Sequence, residues 1–173
     1  FFYPLKDRFS LDKILDMQKT IIIRHKKENL KKCSLKGLEK REDISFFTYP
    51  FSSNSKCFAS LDLSNHVLLE MNSPELTKED HNKGLLLIDS TWKYVDKILK
   101  ILPLNIEKRS LPQKYITAYP RKQTLCPDPM RGLASVEALY LAYLITKRDT
   151  LGLLNNYYWK DSFLKINSLK ISK

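Results

Sequence analysis

The stretch GLLLIDSTWKYV, residues 84–95, runs from an apolar block into a carboxylate, two hydroxyls and a tryptophan. A continuous apolar run suits a strand covered on both faces of a parallel sheet. Beyond it, Trp92, Val95, Ile98, Leu99 and Leu102 share one stripe, which predicts an amphipathic helix. Ser90 or Thr91 can cap that helix, and Pro103 stops it. Asp89 therefore falls at the carboxyl end of a strand and beside a helix start, where open α/β sheets bind ligands. Two readings of Asp89 stay open at this point. It can accept bonds from a ribose or act as a base, or it can simply cap the Ser90 and Thr91 amides. Trp92 has a similar choice between the wall of that crevice and plain core beside Val95 and Leu99.

Three further stretches carry chemistry. In MRGLASVEA, residues 130–138, a glycine, a small residue and Ser135 precede a helix start. Free amides there suit a carboxylate or phosphate, and an ordinary N-cap fits equally. The stretch from Lys19 to Arg41 holds nine Lys/Arg against two Glu, among them Arg24, Lys31 and Lys32. It offers cations to RNA or forms a solvated face. AYPRKQT, residues 118–124, sets Tyr119 beside Arg121 and Lys122, a combination that suits an RNA contact.

The elements that must position these residues read as follows. TIIIR is a strand ending at Arg24, DISFFTY and KCFASLDL are strands, and NHVLLE is a short one. HKKENLKKCSLKGL spaces Leu30, Cys33, Leu35 and Leu38 as a helix would. SPELTKEDHNKG predicts a capped helical turn closed by Gly84. Residues 105–132 contain strand-like fragments in a proline-rich, irregular segment, and such long loops are usually functional. LASVEALYLAYLITKRD is a helix with Ser135 as its cap and Glu137 in its first turn, apolar nearly all round and so deeply buried. Helical pieces follow to the end. Two parts are expected: a basic, strand-rich region at 1–83 and an α/β region at 84–173.

Bulk properties narrow the function. The 173 residues are 43% hydrophobic and 11% aromatic, which fits a folded chain rather than a disordered one. A net charge of +11 favours polyanions, chiefly nucleic acid or anionic lipid, although a Lys-, Ile- and Asn-rich composition also follows from an AT-rich genome. Cys33, Cys57 and Cys126 form no C-x-x-C pair, and His25, His66 and His81 are scattered. No disulfide framework, structural zinc or other metal site is expected, and a reducing cytoplasm is the simple location. The longest apolar run, Ala138 to Ile145, is too short to span a bilayer, and no signal peptide is visible. No G-x-S-x-G, H-E-x-x-H, G-x-G-x-x-G or P-loop pattern occurs, so hydrolase triads, zincins and dinucleotide folds have no support.

Five blocks in order resemble one superfamily, the RNA aminocarboxypropyltransferases of the DTW-domain and small-subunit rRNA type. They are KKCS (Lys31 to Ser34), LLLIDSTW, SLPQKYITAYPRK, LASVEALYLAYLI and YYWKDSFLKIN. The resemblance implies a SPOUT-like parallel α/β sheet with a deep trefoil knot and a small strand-rich, RNA-facing N-terminal domain. It also implies S-adenosylmethionine as cofactor, no metal, RNA as partner, a monomer and no membrane. The expected reaction is transfer of the 3-amino-3-carboxypropyl group to a uridine-type base.

By matched position, Ser34 and Ser135 hold the cofactor's carboxylate. The Ile88 carbonyl meets its ribose, and Trp92 and Val95 bury its methyl group. Leu61, Leu63, Leu111 and Leu133 line its adenine pocket, and Asp89 stands near the sulfonium as base or electrostatic stabiliser. Arg24, Lys31, Lys32, Arg121 and Lys122 are the expected RNA contacts. Some positions depart from the pattern: Ala134 replaces a hydroxyl, and the DTW cysteine cluster is missing. KKCS and SFLKIN side with the rRNA branch and AYPRK with the tRNA branch, and rRNA is the expectation carried forward. A SPOUT-type RNA methyltransferase and a non-catalytic RNA-binding protein of ribosome assembly are the alternatives.

Overall fold

The computed structural model describes residues 19–51, 61–120 and 132–169. Among these, five strands form one parallel sheet: β1 (Thr20–His25), β2 (Ile44–Tyr49), β3 (His66–Leu69), β4 (Gly84–Asp89) and β5 (Glu107–Arg109). Their order is β2-β1-β4-β3-β5. Three α-helices accompany them: α1 (Trp92–Leu99), α2 (Ser135–Ile145) and α3 (Lys160–Ile166).

The apolar runs occupy the middle of this sheet because only there are both faces covered. Every residue of β1 is buried, and so are all of β4 except Ile88. Side chains alternate between two cores. Ile22, Leu85, Leu87 and Val67 pack with α2 and α3, whereas Ile21, Ile23, Leu86 and Leu68 pack with Ile98 and Leu102 at the end of α1. Past its first turn α2 is apolar nearly all round, and Leu153, Leu154, Tyr157 and Phe163 pack with it and the sheet in one core, with Tyr140 and Phe163 edge to face at 6.2 Å. At the amino end of β1, the Tyr143 hydroxyl donates to Asp43 at 2.9 Å and pairs with the Thr20 hydroxyl at 2.8 Å, tying α2 to the sheet. Gly84 faces His66 across the β3–β4 ladder, and a Cβ there would overlap the imidazole.

Two expectations change. Of the expected helix at 25–38, His25 ends β1, residues 26–37 form successive turns and Leu38 begins a short 3₁₀ helix. The bonds Lys32 N to Asn29 O, Lys36 N to Cys33 O and Leu38 N to Leu35 O all span three residues, a repeat that copies helical spacing without an α-helix. Asn29 diverts its side chain to the Lys31 amide, and Gly37 at φ 92° breaks any continuing helix. Leu30 is accordingly 58% exposed while Leu35 and Leu38 are buried. The expected boundary at 83/84 passes through the sheet, since β4 lies between β1 and β3. The turn at Lys78–Asn82 is present as a short 3₁₀ helix, capped reciprocally by Thr77 and Asp80. Of the expected strand at 56–63, residues 61–63 form no strand and the rest lies outside the described residues, as do the segments at 1–18.

The sheet also fixes where a ligand can sit. The chain leaves β1 toward β2 on one side and leaves β4 toward β5 on the other. The carboxyl ends of β1 and β4 therefore form a topological switch point, and Arg24 and Asp89 are register partners there.

Candidate functional site

Asp89, 5% exposed, is held from three sides at the end of β4. Arg24 Nε donates to its Oδ2 at 2.9 Å, and Ser135 Oγ donates to Oδ1 at 2.8 Å. The Cys33 thiol points at Oδ2 from 3.4 Å. Arg24 spends its remaining nitrogens on Glu39 Oε1 at 2.9 Å and Cys33 Sγ at 3.4 Å, with its guanidinium 4.6 Å from the Phe46 ring centre. Burial works to lower the Arg24 pKa, but the bonds from Asp89 and Glu39 outweigh it and raise it. Burial pushes the Cys33 thiol up to about 12, and the Asp89 charge adds to the push. Glu28, close by, accepts the Thr91 amide at 2.8 Å, and burial followed by the Asp89 charge raises its pKa.

The start of α2 joins this cluster. Ser34 Oγ accepts the Val136 amide at 3.3 Å, capping α2 from a segment 102 residues away. Ala134, not Ser135, is the N-cap residue, so the Ser135 hydroxyl is left to bond Asp89. Ser34, Asp89 and Ser135 thus meet at one helix N-terminus, where the macrodipole favours an anion. Glu137 does more than complement that dipole. It is 0% exposed and accepts Ala134 N at 2.7 Å, Thr117 Oγ1 at 2.6 Å, Ala118 N at 2.9 Å and Tyr157 Oη at 2.8 Å. One carboxylate therefore fixes the loop after β5, the start of α2 and the chain before α3.

Beside this cluster lies a cavity of about 260 Å³ at the carboxyl ends of β3, β4 and β5. Residues 68–73 and Glu75 form one wall, and Ser110, Leu111, Pro112, Gln113 and Tyr115 another. Trp92, Val95 and Leu99 of α1, with Ile88 and Ser90, close a third, and Gly132, Leu133, Ser135 and Ala138 a fourth. The α1 stripe therefore divides: Ile98 is buried in the core, whereas Trp92 and Val95 face the cavity. The walls are mainly apolar, with Glu70, Asn72, Glu75, Ser90 and Gln113 as polar points, a composition typical of small-molecule sites.

Of the candidate residues, Ile88, Trp92, Val95, Leu111, Leu133 and Ser135 line this cavity together. Ser34 and Asp89 do not line it: Asp89 holds the Ser135 hydroxyl, and Ser34 accepts the amide of the next residue, Val136. Leu61 and Leu63 do not line it. They pack with Ile21, Ile23 and Leu68 under the α1 face of the sheet, because the chain entering β3 runs along that core. Arg24 is corrected as an RNA contact: it is 7% exposed and committed to Asp89, Glu39 and Cys33. Lys31 and Lys32 are exposed, and Arg121 and Lys122 lie outside the described residues. The segment 70–75 and Tyr115 escaped the sequence reading; their only signal was that each follows a strand end.

Among the described residues, no group of three or more His, Cys, Asp or Glu is arranged to hold a metal, and no helix is long and apolar enough to cross a membrane.

No family model matches the sequence, and no curated protein matches it. A solved structure that does match is the SAM-dependent rRNA:acp-transferase Tsr3 from Vulcanisaeta distributa, with a TM-score of 0.65 and 23% sequence identity. The match covers 88% of this chain and 79% of that one. At this identity the likeness establishes the fold: the chain folds as Tsr3 does.

Proposed function

We propose that this protein is an S-adenosylmethionine-dependent RNA aminocarboxypropyltransferase acting on small-subunit rRNA. The observation that carries the reading is the cavity. Six residues matched to the cofactor site through the sequence resemblance, Ile88, Trp92, Val95, Leu111, Leu133 and Ser135, converge on one space in a fold shared with Tsr3. The chemistry of the walls fits the ligand. Leu111 and Leu133 offer apolar contact to an adenine, and the α2 N-terminus beside Ser135 and Ser34 offers donors to a carboxylate.

S-adenosylmethionine supplies three electrophilic carbons on one sulfonium, and attack by a uridine ring nitrogen on the carboxypropyl carbon releases methylthioadenosine. The chain decides which carbon is reachable. Trp92 and Val95 enclose the methyl group against α1 and leave the carboxypropyl arm toward Ser135 and the RNA side. Asp89 enters this reading as an electrostatic and positioning group rather than as the base. Both of its oxygens already accept bonds, and Ser135 is held in place by one of them. The SPOUT-like knot belongs to the same proposal. In support of rRNA over tRNA stand the KKCS and SFLKIN blocks and the substrate in the Tsr3 structure's name.

Mass spectrometry of the small product after incubation with small-subunit rRNA and S-adenosylmethionine tests the proposal. Methylthioadenosine is expected. S-adenosylhomocysteine would select the methyltransferase alternative, and unchanged cofactor beside RNA binding would select the non-catalytic one.

A further inference from the structure

We propose that single-stranded RNA flanking the modified nucleotide docks on an aromatic row at the carboxyl ends of β2 and β1. This deepens the proposed function and rests on it. The row runs Phe51, Tyr49, His25, Tyr94; His25 is buried and backs the row, while Phe51, Tyr49 and Tyr94 are half-buried and present its accessible edge. Phe51 meets Tyr49 edge-on at 5.8 Å, Tyr49 lies 5.9 Å from His25, and His25 stacks on Tyr94 at 4.1 Å with rings 4° from parallel. No residue of the row lines the cavity, yet Tyr94 sits on the same helix as Trp92, two positions on. That is a rise of about 3 Å and a turn of about 200° round α1, so Tyr94 stands across the helix from the cavity.

Lysines surround the row. Lys27 Nζ donates to the Tyr94 hydroxyl at 3.4 Å and lies 5.5 Å from the ring centre, and Lys93 Nζ lies 5.8 Å from it. Lys26 and Lys97 are also exposed, and with Lys27 they act on His25, whose pKa is lowered by burial first and by these charges second. Among the described residues none of the four lysines is ion-paired, although Glu28 and Asp96 lie within the same stretches of chain.

Ammonium groups with no carboxylate partner, set beside aromatic rings, are what a single strand uses: phosphates meet the lysines and unstacked bases meet the rings. The geometry supplies a reason for both. A base that enters the cavity must leave its stack, so its neighbours lose a partner that an aromatic row beside α1 can replace. A duplex keeps its bases stacked and gains nothing from the rings.

The test is fluorescence anisotropy with the full chain and a labelled mixed-sequence RNA of about 12 nucleotides, single-stranded or as a duplex. Binding is expected to prefer the single strand. Tyr94→Ala should weaken it about tenfold, whereas Tyr94→Phe should bind as the parent does. Lys27→Ala with Lys93→Ala should reduce the slope of log affinity against log salt by about 1.4. Thermal melting reports that each variant folds, and the lysine variant leaves the core untouched. Parent-like single-strand binding by both Tyr94→Ala and the lysine variant would overturn the surface, as would a preference for duplex RNA or for anionic vesicles. Calorimetry with S-adenosylmethionine separates this from the reaction. Tyr94-dependent RNA binding in a chain that binds no S-adenosylmethionine would keep the surface and remove the transferase.

Discussion

Arg24 and Asp89 are register partners on adjacent parallel strands, and their side chains meet at 2.9 Å with less than a tenth of either exposed. The pair sits at the switch point of the sheet. It joins β1 to β4 and, through Ser135, to the start of α2. Removing Asp89 takes from buried Arg24 its buried carboxylate and leaves it only Glu39, whose side chain is 43% exposed. Asp89→Ala should therefore destabilise the fold by about 3 kcal/mol or more, read by denaturant unfolding. A loss under about 1 kcal/mol would mean that Glu39 alone satisfies Arg24 or that Arg24 reaches water.

Trp92 bears on the cofactor rather than on the fold. It is partly exposed and lines the cavity, whereas Ile98 on the same helix is buried in the core. Trp92→Ala should weaken S-adenosylmethionine binding about tenfold in calorimetry and cost less stability than Ile98→Ala, a change that opens a cavity in the core. Equal affinity in a folded Trp92→Ala protein would remove Trp92 from the methyl pocket.

Cys33 gives a chemical readout of the buried cluster. With its pKa pushed up to about 12 by burial and by Asp89, it carries almost no thiolate near neutral pH. The thiolate is the reactive form, so Cys33 should resist iodoacetamide at pH 8 in the native protein and label rapidly once unfolded. Peptide mass spectrometry distinguishes it from the other cysteines. Fast native labelling would show that the cluster opens.

Asp80 sets an acid limit. Its carboxylate takes the Thr77 amide, Lys83 Nζ at 3.0 Å and Arg109 Nε at 3.1 Å, bracketing the cavity wall at 70–75. Burial acts to raise its pKa, but these bonds prevail and hold it below the ordinary 3.8. A depressed folded value means that the stabilisation is complete above the unfolded pKa and is lost as pH falls through the folded one. Asp80→Asn should destabilise the protein at pH 7 by about 2 kcal/mol and by progressively less below pH 4. A pH-independent difference would show that the charge itself does not matter.

The central strands and both longer helices were legible because burial on two faces leaves unbroken apolar runs, as in TIIIR, GLLLI and ALYLAYLI. Residues 25–38 misled because three-residue turns repeat hydrophobics as an α-helix does. The wall from Ile88 to Val95 could be placed from the strand-to-helix handover alone. The partners of Asp89 could not. Arg24 is 65 residues away, Cys33 56 and Ser135 46, and only the β1–β4 register brings them together. Arg24 read as one more cation in a basic run, and nothing in that run marked it as the one turned inward. The His25–Tyr94 stack was hidden for the same reason, since each ring looks ordinary within its own element.

The most direct measurement is isotope partition. The protein is incubated with small-subunit rRNA and S-adenosylmethionine labelled either in the methyl carbon or in the carboxypropyl chain, and label in the RNA is counted. Carboxypropyl label should enter the RNA and methyl label should not. Methyl label in the RNA, or neither label despite salt-dependent binding, would contradict the assignment of this cavity to aminocarboxypropyl transfer.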